Sequence, residues 1–185
     1  MKLLFTLLLA ATSLSSSAQK AERLSFAALP IDSASHLVTY TAVVPVAGAT
    51  KDQLFVRAKE WAARSFVDSK TAARMDDKEA GTYITRGTVK LPGGAQYAMM
   101  LAIYTKDGRY KYVIDQLAYT YQVSLGSSGS IGSTGEPAEK WANYGKANAR
   151  YVDGRVRDVQ GLVQKLAADI QVAMTGSTGA AKSDW

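Results

Sequence analysis

The sequence predicts an α+β fold: an antiparallel sheet with helices packed on one face. Three observations lead there. Gly81 to Leu91, Gln96 to Lys106 and Arg109 to Tyr121 are strand-like runs joined by short turns. Thr50 to Val67 carries one apolar stripe at helical spacing. Val156 to Met174 carries a second. A meander of strands has two faces, and two amphipathic helices suffice to bury one of them.

The elements follow in chain order. Lys2 gives a positive start, Leu3 to Ala11 is apolar apart from Thr6, and Ser16-Ser17-Ala18 offers small residues to a signal peptidase. Residues 1–18 are therefore expected to be a signal peptide cut before Gln19, since the apolar run is much shorter than the ~20 residues a bilayer requires. The expected destination is periplasmic or secreted. Residues 19–27 read as a polar leader. Residues 28–174 read as a single domain and 175–185 as a disordered tail. Val38 to Val46 is rich in β-branched residues and reads as a strand, with Pro45 placing its end at an edge or a bulge.

In the first helix Thr50 and Gln53 have capping-box spacing. Leu54, Phe55, Ala58, Trp61, Ala62, Ser65 and Phe66 form its stripe, away from most of the charges. In the meander, Pro92-Gly93-Gly94 makes the first turn and Asp107-Gly108 the second, a strong hairpin signal. The middle strand is apolar on both faces, as a central strand should be. Val123 to Glu136 is dominated by glycine and serine and reads as a long mobile loop. Trp141, Tyr144 and Tyr151 then pin a polar stretch back onto the domain. In the last helix Gly161 either weakens the helix or admits a close helix contact.

The chain has 185 residues, no cysteine and a net charge of +6, which becomes +5 once Lys2 leaves with the signal. Without cysteine there is neither a disulfide nor a lipid anchor. Basic and acidic residues interleave along the whole chain, which favours a mixed solvated surface over a phosphate-binding stripe and argues against nucleic acid as a partner. Nothing after the signal is apolar enough to span a membrane as a helix.

Candidate chemistry is sparse. His36 is the single histidine, with no nucleophile marked beside it. No metal-ligand spacing is present, so no metal and no cofactor is expected. Asp76, Asp77 and Glu79 are the one acidic cluster. They lack EF-hand spacing, and turn capping with neutralisation by Lys78 is the favoured reading. Pro92-Gly93-Gly94 opens no helix and is no phosphate loop. The enrichment that remains is tyrosine: Tyr83, Tyr97, Tyr104, Tyr110, Tyr112, Tyr119 and Tyr121 all fall in strands. Ordinary strand packing is favoured, with a ligand face as the second reading. On that second reading Tyr83, Tyr104, Tyr110 and Tyr112 are the candidate ligand-binding residues, together with Asp76, Asp77 and Glu79.

A set of segments resembles a known family. Tyr40 to Gly48 matches its early strand and Arg57-Ala58-Lys59-Glu60-Trp61 its helix. Ser69 to Gly87 (SKTAARMDDKEAGTYITRG) and Lys106 to Tyr112 (KDGRYKY) match later pieces. Together, over roughly residues 28–121, they resemble family 4468 of domains of unknown function. The resemblance implies a fold like the TATA-box-binding protein and an exported Gram-negative envelope protein. It assigns no catalytic residue.

Three functions compete on these grounds. A non-enzymatic envelope module would bind a partner protein or small ligand on the open sheet face. A hydrolase would act through Asp76, Asp77 and Glu79. DNA binding would rest on the fold name alone and is the weakest, because fold does not imply function.

Overall fold

The computed structural model describes residues 23–66, 73–125 and 130–176. The expected signal peptide, the segment between the first helix and the sheet, the tip of the Gly/Ser stretch and the end of the tail lie outside these residues. Six strands form one antiparallel sheet: β1 (Tyr40–Pro45), β2 (Ala73–Asp77), β3 (Thr82–Lys90), β4 (Gln96–Lys106), β5 (Arg109–Leu125) and β6 (Ser130–Pro137). The order is β1-β5-β4-β3-β2, with β6 also paired to β5. β5 is long enough to hold both partners on one edge: β1 pairs with residues 109–114 of it, and β6 with residues 118–125.

A bulge on β5 makes room for the change of partner. Gln116 has φ of 49°, and the β4–β5 register slips between Ala98 and Met100. One extra residue reverses which side chains face inward. Before the bulge Tyr110 and Ile114 point to the core. After it Leu117 and Tyr119 do.

Helix α1 (Lys51–Ser65) begins as its spacing predicts. The Thr50 side chain accepts from Gln53 N–H, and the Gln53 side chain accepts from Thr50 N–H, which secures the first turn by about 1 kcal/mol. Its stripe is buried at Leu54, Phe55, Ala58, Trp61 and Ala62. Phe55 meets Tyr83 of β3 edge to face, with ring centroids 6.4 Å apart. Helix α2 (Ala149–Thr175) starts seven residues before Val156, with Val152 extending its buried stripe toward the N-terminus, and ends on Gly176, whose φ of 74° closes it. Arg57 Nη1 of α1 donates to Met174 O of α2 at 2.6 Å. Both helices pack on the same side of the sheet, against Tyr83, Tyr97, Met99, Leu101 and Ile103.

Three expectations need correction. The Gly/Ser stretch is not a loop throughout: Val123 to Leu125 completes β5, and Ser130 to Pro137 is β6, hydrogen-bonded along it. Composition hid this strand because backbone pairing needs no apolar side chain, and a small residue suits close approach. A Cβ at Gly135 would stand 3.4 Å from that of Ala118. Part of the polar leader is docked. Leu24 N donates to Asp153 Oδ1 at 2.6 Å, and Leu24 and Phe26 pack against the core. Thr175 belongs to α2 rather than to a tail.

Candidate functional site

With both helices on one side, the register defines what the other side presents. One row across the strands is Thr41, Val113, Ala102, Ile84 and Met75. The next is Val43, Lys111, Tyr104, Thr82 and Asp77. Beyond it, at the β4–β5 hairpin, stand Pro45, Arg109 and Lys106. Val43 is 61% exposed, Met75 47% and Tyr104 38%, so no described element covers this face.

A shallow concavity of about 400 Å³ lies at its hairpin end, lined by Val43, Tyr104, Lys106, Arg109, Tyr110 and Lys111. The Lys111 ammonium sits 5.8 Å from the centre of the Tyr104 ring. The Asp107-Gly108 turn, with Gly108 at φ of 74°, places Lys106 directly opposite Arg109. Asp107 does not neutralise them: its Oδ1 accepts from Lys51 N–H at 2.7 Å, at the start of α1.

The sequence candidates separate. Tyr104 alone of the four tyrosines reaches the open face. Tyr83 and Tyr110 are buried beneath the helices, and Tyr112 is half-buried on that same side. The Tyr110 hydroxyl is buried with no hydrogen-bond partner among the described residues, and burial pushes its pKa up to about 12. The carboxylates diverge too. Asp76 pairs with Lys59 on the helix side. Asp77 Oδ1 accepts from Ala80 N–H at 2.8 Å, which caps the turn before Gly81. Glu79 contributes its backbone carbonyl to Lys51 Nζ, and Lys78 pairs with Asp52 rather than with its acidic neighbours. Among the described residues no group of three or more His, Asp or Glu could hold a metal ion. His36 sits at φ of 58° in a tight turn, its N–H on Asp32 O.

Sequence reasoning missed a second cluster, at the opposite end of the sheet on the helix side. Tyr97 donates to Asp158 Oδ2 at 2.8 Å, and Arg155 Nη1 donates to the Tyr97 hydroxyl at 3.0 Å. The Arg155 guanidinium lies 3.9 Å from the Tyr119 ring centre and 5.1 Å from that of Tyr151. Glu136 accepts from both Tyr151 Oη and Trp141 Nε1. Burial, reinforced by the bond to Glu136, raises Tyr151 to about 12; burial and the bond to Asp158 likewise raise Tyr97. The signal was present: Tyr151, Arg155 and Asp158 follow helical spacing on one face of α2. This cluster fills its own aromatic cage with Arg155 and fastens α2 and β6 to the sheet. Among the described residues the open face has nothing comparable upon it.

Likeness to known proteins points to the fold. The family model described as "Domain of unknown function (DUF4468) with TBP-like fold" matches residues 40–120. A TBP-like protein from Parabacteroides distasonis ATCC 8503, known from its crystal structure, superposes with a TM-score of 0.59 at 18% identity, covering 79% of this chain and 96% of that one. A DUF4468 family protein from Bacteroides ovatus ATCC 8483 superposes with a TM-score of 0.57 at 16% identity, covering 80% and 90%. No curated protein matches the chain. The matched residues take in β1 through most of β5, with α1 between β1 and β2, which is the sheet that carries the open face. Residues 40–120 thus match the DUF4468 family model, and the fold of the chain is TBP-like.

Proposed function

We propose that this domain is a non-enzymatic binding module of an exported protein, and that its open sheet face receives the partner. The observation that carries the reading is the row of Thr41, Val113, Ala102, Ile84 and Met75, continued by exposed Val43 and Tyr104, with both helices on the opposite side. Contiguous exposed apolar surface on a folded domain marks an interaction site more often than chance. Export is supported by the charged start, short apolar run and small residues of positions 1–18. Among the described residues no helix is long and apolar enough to cross a membrane.

The hydrolase alternative has less support. Asp76 is engaged by Lys59 and Asp77 by the turn it caps. The two carboxylates point to opposite sides of β2, because adjacent strand residues alternate. Paired acid–base work requires both groups on one substrate.

Partner capture from envelope extract tests the two readings together. A variant with Val43→Ser, Met75→Ser and Tyr104→Ser should lose its specific partner. A variant with Asp76→Asn, Asp77→Asn and Glu79→Gln should keep it. Retention by the first variant, with the fold intact, would overturn the proposal. Loss of a detected turnover in the second would favour the hydrolase.

A further inference from the structure

Resting on that reading, we infer that the partner presents an acidic peptide segment to the hairpin end of the open face. Lys106, Arg109 and Lys111 would hold its carboxylates, and Val43 and Tyr104 would flank its apolar side chains.

The hairpin end of the face carries an electrostatic cost. Lys106 and Arg109 are directly opposed across the β4–β5 ladder, and like charges in that position destabilise a sheet. Lys111, two residues along from Arg109 and opposite both Tyr104 and Val43, adds a third cation on the same side. None of the three has an ion-pair partner among the described residues, whereas six other cations of the chain do. The nearest carboxylate in sequence, Asp107, is turned away onto the first turn of α1. An anion seated among the three relieves their repulsion.

The surroundings select the kind of anion. The concavity of about 400 Å³ holds two or three side chains rather than a helix. One wall is aliphatic and one aromatic, which suits carboxylates alternating with apolar residues. A second copy of this chain would bring the same cations and be repelled. A phosphate-tracking surface is interrupted by Asp77 and Asp115 on the same face, so a peptide fits better than a nucleic acid. A concave site also suits a peptide better than a flat anionic membrane.

Titration of the full mature chain with the peptide acetyl-Glu-Phe-Glu-Val-Glu-amide tests the inference. Its control has glutamine in place of each glutamate. Backbone NMR shifts locate the site and fluorescence anisotropy gives the affinity. The acidic peptide should shift residues 43, 104, 109 and 111 and bind at least tenfold tighter than the control. Lys106→Gln with Arg109→Gln should abolish that tenfold difference while circular dichroism stays unchanged. Equal binding of both peptides at this site would overturn the acidic specificity and leave the open-face reading standing. Absence of shifts there, or binding of duplex DNA or phosphatidylglycerol vesicles in place of the peptide, would overturn the inference outright. The open-face reading itself fails only if the serine variant of Val43, Met75 and Tyr104 still captures its partner.

Discussion

The ring of Phe66 occupies the place where a Cβ at Gly87 would stand. Built on that backbone, the atom would overlap Cδ1, Cε1 and Cγ of the ring. Phe66 caps α1 and stacks edge to face on Trp61, with centroids 5.6 Å apart. One glycine in the middle of β3 therefore lets the end of α1 reach the sheet. Gly87→Ala should cost about 1–3 kcal/mol by overpacking. Denaturant unfolding of Gly87→Ala, Phe66→Ala and the double variant checks it. The double change should cost less than the sum of the two singles, because the smaller side chain removes the clash.

Trp61 should be among the most costly core positions. It is 6% exposed, beneath β3 and β4. Trp61→Ala should lower stability by about 3–5 kcal/mol, as truncation of buried aromatics does. An unchanged denaturant midpoint would mean that α1 does not cover the sheet.

Gly161 offers the opposite sign. It lies inside α2, and a Cβ there would meet nothing within 4 Å. Of its two expected roles, weakening the helix or permitting a close helix contact, the contact is absent among the described residues. Gly161→Ala should stabilise by about 0.5–1 kcal/mol, through helix propensity and the lower entropy of the unfolded chain. Thermal unfolding reads the gain directly.

The elements most legible in the sequence were those whose side chains declare them. The capping box of Thr50 and Gln53, the stripe through Trp61 and the Asp107-Gly108 turn each fix geometry by local chemistry. β6 was not legible, since glycine and serine leave the pairing to the backbone. The reversal at Gln116 was hidden for a related reason: a bulge moves Leu117 and Tyr119 inward without changing composition. The candidate site was half legible. Tyr104 could be named, but Tyr83, Tyr110 and Tyr112 could not be separated from it until the strands were in register. Lys106 and Arg109 were not among the candidates, because charge was weighed along the chain rather than across the hairpin that opposes them.

Alkaline pH should expose the buried tyrosines. The Tyr110 pKa rises from 10.0 to about 12 through burial. Its folded value lies above its unfolded one, so its contribution is complete below pH 10 and is lost as pH rises toward about 12. Tyr110→Phe should flatten that loss between pH 10 and 12. At neutral pH it should cost little, because the hydroxyl has no partner among the described residues. Thermal midpoints of the two proteins across that range check both signs.

The central claim is that the open sheet face, not the helix side, meets the partner. Site-specific photocrosslinking addresses it most directly. A photoreactive residue is placed at Val43 or Tyr104, and in parallel at Lys165 on the exposed side of α2, in cells expressing the protein. The account predicts one discrete adduct from positions 43 and 104 and none from position 165. Adducts from position 165 alone, or equal adducts from all three, would contradict it.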